Sequence, residues 1–368
     1  MAQNDIRLED LPDLARGAAL LGAGGGGDPY IGRLIAEQAF AEYGAPTILS
    51  PVAVPDDMLI CAVAALGATN IQMEKLIAGN ELPHAVHVLE RYLGKRVGAL
   101  IPAEIGGSNS LLPLMLGARQ ALPVIDADGM GRAFPELQMN SFSINGVRAG
   151  PLVVVDEHLN TAIIDTPDDT TAEAMTRALA IQMGLRVYLS CFPMTGKQMR
   201  ETAIHGTLSA ALAIGRALGN GNGAVSPVDH LVDVLRDIPT YGHARALFDG
   251  KIVDVDRRTA RGFSVGSCRL DAIGGGGGNG GSQAVISFQN ENLSCDIDGR
   301  IVAVTPDLIC IVDRETAEPI PTPQLKYGQR VRVVGIRAPE RMRTPQALAA
   351  FGPAAFGIDA TYTPLTCA

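Results

Sequence analysis

The chain has 368 residues, of which 47% are hydrophobic and 19% are charged, and its formal net charge is −9. A chain of this length can bury a large core and form two domains. The negative charge and the absence of tryptophan argue against a nucleic-acid surface, which needs basic residues and aromatic stacking platforms. A small molecule is therefore the expected ligand, and nucleic acid is not an expected partner.

The lack of a targeting segment and the spacing of the cysteines indicate a reducing compartment. No apolar run reaches the length of a membrane span, and the first residues do not join a basic segment to an apolar one. We therefore expect a cytoplasmic protein with no membrane partner. The six cysteines are scattered without a Cys-x-x-Cys pair, which indicates free thiols rather than a disulfide framework or a zinc knuckle.

The first distinctive segment reads Gly-Ala-Gly-Gly-Gly-Gly-Asp-Pro over residues 22–29. Glycine lets the backbone approach a ligand because it carries no side chain. Asp28 is a favoured N-cap and Pro29 suits a first helical turn, so a helix is predicted over about 30–41 with its free N–H groups directed into the loop. The glycines expected to form this ligand cradle are Gly24, Gly25 and Gly26.

The same glycines formally match the dinucleotide pattern Gly-x-Gly-x-x-Gly. That fingerprint follows a strand, whereas residues 11–21 space their apolar side chains as a helix does. The lysine and serine or threonine of a Walker phosphate loop do not follow the glycines either. Nucleotide binding is therefore disfavoured.

Strands and helices alternate over the first half of the chain. The predicted strands are 58–65, 97–103 and 123–125, and the predicted helices are 83–93 and 111–122. This order predicts an α/β domain with a mostly parallel sheet over residues 1–165. Two further apolar runs, 152–155 and 161–164, are predicted to form a hairpin.

Residues 166–368 are predicted to form a helical connection followed by a β-rich domain. The predicted helices are 168–183, 197–218 and 228–235, with a strand at 186–190. The predicted strands beyond them are 252–255, 262–270, 284–288, 301–304, 308–312 and 330–336. The glycine-rich run 274–281 is either a hairpin tip or a second ligand loop, and the tip is favoured because ordering such a run costs entropy.

Several motifs follow one another along nearly the whole chain. They are Gly-Ala-Gly-Gly-Gly-Gly-Asp-Pro-Tyr-Ile-Gly (22–32), Ala-Glu-Ile-Gly-Gly-Ser-Asn (103–109), Asp-Ala-Asp-Gly-Met-Gly-Arg-Ala-Phe-Pro-Glu-Leu-Gln-Met (126–139), Met-Thr-Gly-Lys (194–197), Arg-Thr-Pro-Gln-Ala-Leu (343–348) and Gly-Pro-Ala-Ala-Phe-Gly (352–357). Together they resemble the S-methyl thiohydantoin desulfurase-like family, long treated as a domain of unknown function. Members of that family are associated with, or fused to, hydantoinase/oxoprolinase-type proteins.

The resemblance implies a hydrolase that converts a five-membered cyclic S-methyl isothiourea into a hydantoin and methanethiol. This reaction needs an activated water, a partner for the ring nitrogens and departure of the thiolate. A hypothesis from another class is a non-catalytic subunit or ligand-binding module that serves a hydantoinase/oxoprolinase partner. A homo-oligomer is compatible with both the hydrolase and the binding-module hypotheses.

Carboxylates are the natural candidates for the base and the ring-nitrogen partner. The motifs supply Asp28, Glu104, Asp126, Asp128 and Glu136, of which the first four are the catalytic candidates. Asp126 and Asp128 follow a predicted strand, and ligands of open α/β folds bind at the carboxyl ends of strands. The alternative is that they are turn residues, which Asp-x-Asp-Gly commonly is. Glu104 likewise ends a predicted strand, before a loop that offers either N–H groups to a ligand or ordinary helix caps.

The same motifs supply polar groups for substrate binding. These candidates are Ser108, Asn109, Arg132, Thr195 and Lys197. Lys197 either pairs with an anionic ligand, carries a metal-bridging carboxylate as in hydantoinases, or is a surface lysine. His205 is the candidate metal ligand or base, so a divalent metal such as zinc is the candidate cofactor. Cys191 is interpreted as a buried small hydrophobe in preference to a nucleophile, because no basic residue adjoins it.

Overall fold

The computed structural model of the protein describes residues 5–67, 71, 75, 77–219, 226–273 and 281–366. The α-helices are α1 (Leu11–Leu21), α2 (Pro29–Tyr43), α3 (Glu81–Leu93), α4 (Leu112–Gln120), α5 (Ser141–Ile144), α6 (Asp169–Gln182), α7 (Gly196–Thr202), α8 (Thr207–Gly219), α9 (Pro227–Asp237) and α10 (Pro345–Phe351). The strands of the first half are β1 (Ile48–Leu49), β2 (Leu59–Gly67), β3 (Ala99–Pro102), β4 (Val124–Ile125), β5 (Ala127–Asp128), β6 (Leu152–Val155), β7 (Thr161–Ile164), β8 (Arg186–Thr195) and β9 (Ile204–His205). The later strands are β10 (Ala244–Ala260), β11 (Phe263–Ala272), β12 (Gln283–Gln289), β13 (Glu291–Ile297), β14 (Arg300–Val304), β15 (Leu308–Asp313) and β16 (Arg330–Ile336).

The first sheet has the strand order β1-β4-β3-β2-β8-β6-β7. Strands β1, β4, β3 and β2 pair in parallel, whereas β8, β6 and β7 join through antiparallel pairs. The sheet is therefore mixed, and the expectation of a mostly parallel sheet is corrected. The predicted hairpin β6–β7 is confirmed, and its short link is one reason for the mixture, because a parallel pair needs a much longer crossover.

Both faces of the first sheet are buried. Along β2, Cys61 and Val63 pack into one hydrophobic core, whereas Ile60, Ala62 and Ala64 pack into a second core on the other face. Alternate side chains of a strand point to opposite faces, so one apolar run serves both cores. The carboxyl end of β2 remains open to the site described below.

The second sheet is antiparallel throughout, with the order β14-β13-β12-β11-β10-β16-β15. The chain thus has two domains, an α/β domain and a β-rich one. The sequence pattern did not reveal β13 or the first half of β10. Polar residues interrupt both segments, as in Glu-Asn-Leu-Ser-Cys-Asp-Ile of β13, so the apolar signal is weak.

The division between the two domains does not coincide with a single point in the chain. Strand β8 lies between β2 and β6 inside the first sheet, although it follows residue 166. Helix α1 packs against α8 so closely that a Cβ on Gly215 would lie 1.6 Å from the Asp13 carbonyl oxygen. Glycine is required there because the two helix backbones touch.

Two expectations for the middle of the chain need comment. The helix predicted over 197–218 is wrong as one element, because β9 separates α7 from α8 and Gly206 turns the backbone at φ +76°. The glycine-rich run 274–281 lies outside the described residues apart from Gly281. Within the described ranges, none of the helices is both long and apolar enough to cross a membrane.

Candidate functional site

A cavity of about 70 Å³ lies where the carboxyl end of β2 meets the turn between β12 and β13. Its wall also includes the glycine-rich loop, the segment after β3, helix α6 and the start of β8. Sites for drug-sized ligands span about 300–1,000 Å³. The cavity is well below this range, so it admits only a small molecule.

The glycine-rich loop forms one wall and is bound to both domains. The backbone N–H of Asn292 donates to the Ala23 carbonyl oxygen at 2.8 Å, and that of Thr322 donates to the Gly24 carbonyl oxygen at 3.0 Å. On the other side, the Asn109 N–H donates to the Gly26 carbonyl oxygen at 3.3 Å. The loop therefore joins the α/β domain to the β-rich domain at the cavity.

The loop glycines are needed for contact with protein groups as well as with the cavity. A Cβ on Gly25 would lie 1.9 Å from Oε1 of Glu291, and one on Gly26 would lie 2.3 Å from the Gly106 carbonyl oxygen. Gly26 and Gly27 line the cavity, whereas Gly24 and Gly25 do not. The predicted cradle is thus only partly brought to the site.

Glu104 lies in the wall directly after β3 and is 6% exposed. The Asn109 side-chain amide donates to its Oε1, and the Phe134 N–H donates to its Oε2 at 3.2 Å. Asn109 is itself fixed to β2, because the Ala65 N–H donates to its side-chain oxygen at 2.8 Å. Burial, followed by the charge of Glu291, raises the pKa of Glu104 well above its usual range.

Glu291 opens β13 and reaches the same cavity from the second domain. It is 2% exposed, and its Oε2 is buried without a hydrogen-bond partner among the described residues. Burial raises the pKa of Glu291 to about 8, and the nearby charge of Arg132 limits that rise. Two carboxyl groups with raised pKa values thus share one small cavity.

Asp126 and Asp128 do not line the cavity, contrary to our expectation. Asp126 accepts hydrogen bonds from the N–H and hydroxyl of Ser209 at 3.1 and 2.5 Å, which ties it to the start of α8. Asp128 is fully buried, and the N–H groups of Ile105, Met130 and Gly131 donate to its Oδ2 at 2.8–3.0 Å. Burial raises the pKa of Asp128 to about 7, although these hydrogen bonds lower it. Both residues hold loops in place.

Arg132 is fully buried behind the cavity rather than in its wall. Its guanidinium donates to the carbonyl oxygens of Ala133, Asn292, Pro306 and Asp307 at 2.8–3.1 Å, and so joins the two domains. The guanidinium also lies 4.6 Å from the Phe134 ring centre. The structure makes Arg132 an interdomain clamp that supports Glu291.

Two further predicted residues cap helices. The Asp28 carboxylate accepts from the Tyr30 N–H at 2.8 Å at the start of α2, and the Thr195 hydroxyl accepts from the Gln198 N–H at 3.2 Å at the start of α7. Lys197 is exposed, 4.0 Å from the Glu201 carboxylate. None of these lines the cavity, so of the predicted binding residues Gly26, Ser108 and Asn109 are brought to Glu104.

The structure does not place His205 at the cavity. Its Nε2 lies 3.1 Å from the Arg200 carbonyl oxygen, so that nitrogen is occupied as a donor. In the part of the chain that the structure describes, no group of three His, Cys, Asp or Glu side chains is arranged to hold a metal ion. Cys191 is fully buried, and burial raises the pKa of its thiol. The interpretation of Cys191 as a small hydrophobe is consistent with this burial.

Sequence reasoning missed three charged residues of the cavity wall. They are Glu291, Arg177 and Arg186. For Glu291 the sequence does contain a signal, because the polar run Asn-Glu-Asn (290–292) separates two apolar strands. Arg177 lies on α6 and Arg186 begins β8, where a charged residue at a helix face or strand end has no distinctive pattern.

Comparison with known proteins places these features in a family. Residues 9–166 match the N-terminal domain, and residues 167–365 the C-terminal domain, of S-Me-THD-like proteins. An X-ray crystal structure of a protein from Chromobacterium violaceum is similar at a TM-score of 0.80 and 23% identity, covering 98% of this chain and 99% of that chain, and this likeness shows the shared fold alone. No protein with a curated description matches the chain. The chain belongs to the S-Me-THD-like family, as its motifs led us to expect.

Proposed function

We propose that the protein is a hydrolase that releases methanethiol from a small S-methyl thiohydantoin-like ring. One observation carries this proposal: Glu104 of the first domain and Glu291 of the second are buried in the wall of the same small cavity. The family name supports the ring and the C–S cleavage. The cavity supports a small substrate enclosed by acid and base groups.

The two carboxyl groups have the properties of an acid and base pair. Two carboxylates in a shared buried site do not both ionise readily, so the pair retains a proton near neutral pH. The positive charges of Arg132 and Arg177 lower the pKa of Glu291, whereas Glu104 is further raised by Glu291. Glu291 therefore loses its proton first, as the pH approaches about 8, and serves as the base once it is ionised, while Glu104 keeps its proton and serves as the acid.

The reaction follows from these protonation states. Glu291 takes a proton from water as the water oxygen bonds to the carbon between the ring nitrogens, and Glu104 donates its proton to the adjacent ring nitrogen. The C–S bond then breaks as the new hydroxyl becomes a carbonyl. Methanethiolate receives the proton held by Glu291, and the hydroxyl proton returns to Glu104. Hydantoin and methanethiol leave, and both carboxyl groups regain their starting states.

Zinc, the candidate metal, does not fit this donor set. Around the cavity, Glu104 is already bound by Asn109 and Phe134, and among the described residues no three His, Cys, Asp or Glu side chains are arranged to hold a metal ion. Structural and catalytic zinc sites use three or four protein ligands. The proposed steps therefore use only the two carboxyl groups and water.

The decisive test is release of methanethiol from a panel of S-methyl thiohydantoins. We expect methanethiol, detected by a thiol-trapping reagent, and hydantoin, detected by mass spectrometry, in equal amounts. The Glu291→Gln variant, purified in the same way, controls for contaminating enzymes. If the rings bind but no thiol is released, with or without added zinc, manganese or magnesium, the hydrolase is rejected in favour of a ligand-binding module.

A further inference from the structure

The β-rich domain contains a second cavity, which shares no described residue with the cavity of Glu104 and Glu291. Its volume is about 500 Å³, within the range of small-ligand sites. Strands β10 and β14 both contribute to its wall, although three strands lie between them in the sheet. Adjacent strands are about 4.8 Å apart, so these two strands share a cavity only because the sheet curls. The cavity thus lies at the open side of a barrel-like sheet, and the mouths of β-barrels are frequent ligand sites.

The segment 363–366 forms the opposite wall of this second cavity. Leu365 is 4% exposed and packs into the hydrophobic core inside the curled sheet. Its N–H donates to Oδ2 of Asp307 at 2.7 Å, which fixes the segment across the opening. The other residues of the segment that line the cavity are Thr363, Pro364 and Thr366.

Two arginines in this wall have no counter-ion. Arg245 lies near the start of β10, and its Nε is buried with no hydrogen-bond partner among the described residues. Arg300 begins β14 at an exposed position. In the described part of the chain, neither guanidinium forms an ion pair or a hydrogen bond, and the described wall contains no acidic residue. A buried donor without an acceptor costs free energy, so the Nε of Arg245 favours an anion at this place.

The other groups of the wall define the kind of anion. Thr363 and Thr366 add two hydroxyl donors to the N–H groups of the two guanidiniums. A carboxylate offers only two oxygens to such a set, whereas a phosphate monoester offers three oxygens and a charge of about −2 near neutral pH. Apolar side chains complete the wall, and these are Ile301, Val302, Pro364 and Leu365. They suit an organic group attached to the phosphate.

We propose that this second cavity binds a small phosphate monoester. The guanidinium groups of Arg245 and Arg300 bind the phosphate oxygens, and the apolar wall contacts the organic group. The planar fork of a guanidinium matches two phosphate oxygens at once. The site goes beyond the proposed hydrolysis, because it uses the second domain alone and needs neither Glu104 nor Glu291.

The test measures binding of phenyl phosphate to the full chain by isothermal titration. We expect saturable binding by the wild-type protein, weaker binding of inorganic phosphate, which lacks the organic group, and no detectable binding of phenol, which lacks the charge. Arg245→Gln should weaken binding of phenyl phosphate about tenfold to a hundredfold, as the loss of a charged hydrogen bond predicts. Arg269→Gln is the matched control and should bind as the wild type, because this exposed arginine of the same sheet pairs with Asp254 outside the cavity.

The results decide on this site independently of the hydrolase. No saturable binding, equal affinity for inorganic phosphate, or unchanged binding in Arg245→Gln would overturn the proposal. Loss of binding in Arg186→Gln alone would place the phosphate in the other cavity and overturn it as well. If Arg245→Gln does not fold, Arg300→Glu replaces it, because it reverses the charge at an exposed position and should abolish binding. Glu291→Gln should bind phenyl phosphate as the wild type does, whether or not methanethiol is released.

Discussion

Two pairs of acidic residues lie close to one another in the fold but have different surroundings. Asp126 and Asp128 form one pair, and Glu104 and Glu291 form the other. Asp128 is as deeply buried as Glu104 and Glu291, and its pKa is also raised, to about 7. Its neighbours, however, are backbone N–H groups, and Asp126 is likewise bound by Ser209. The glutamates instead line a cavity, although Glu104 also accepts from one backbone N–H group, that of Phe134. Burial and a shifted pKa therefore do not distinguish the proposed reactive carboxylates from the others, whereas access to the cavity does.

The largest expected effect follows from replacing either glutamate. Glu104→Gln and Glu291→Gln keep the volume and remove the transferable proton or charge, so kcat should fall about a hundredfold to ten-thousandfold. Methanethiol release measures this, and circular dichroism confirms the fold. Asp126→Asn is the matched control and should turn over like the wild type. A similar loss in all three variants would remove the distinction between the pairs.

The next effect concerns stability. Asp128→Ala leaves three buried N–H groups without their acceptor, and each such loss costs about 1–3 kcal/mol. The free energy of unfolding, measured with urea, should therefore fall by about 3 kcal/mol or more. Asp126→Ala removes bonds from one partly buried serine and should cost about 1 kcal/mol. Equal costs would show that Asp128 is not the structural residue of this pair.

A third effect is a pH dependence of stability. The folded protein holds a proton on Glu291 up to a pKa of about 8, whereas the unfolded chain releases it near the ordinary value of 4.5. The unfolded state therefore becomes more favourable relative to the folded state as pH rises between these values, and the free energy of unfolding falls. The Tm should decline less from pH 5 to pH 8 in Glu291→Gln than in the wild type. Glu315→Gln, at an exposed position, should follow the wild type. Parallel curves for all three proteins would contradict the raised pKa.

The sequence predicted one half of the candidate site, because the signal for that half is local. Glu104 was predicted from the strand before it and the glycines after it, and Asn109 from the same motif. Glu291 depends on how β13 packs against Gly25, a contact between residues far apart in the chain that no local pattern encodes. Strand-end reasoning placed Asp126 and Asp128 at the correct edge of the sheet. It does not reveal which carboxylates are already bound by backbone N–H groups.

The prediction of the fold failed where long-range pairing decides the outcome. Individual strands and helices of the first half follow from apolar periodicity, as β2 and α3 do. The direction of β8 against β2 is a property of the assembled sheet, since the same apolar run would suit a parallel or an antiparallel neighbour. His205 does not belong to a group of three metal-ligating side chains among the described residues, and the sequence alone does not show this because ligand clusters form from residues distant in sequence.

The place of β8 limits how this protein can be divided. The two family domains meet between residues 166 and 167, yet an inner strand of the first sheet comes from beyond that point. A fragment that ends at residue 166 would expose the bare edges of β2 and β6, and unpaired edges promote aggregation. The half-chains defined by sequence are therefore not separate building blocks. A fusion, a transplant or a biosensor made from this protein should carry the whole chain as its smallest module.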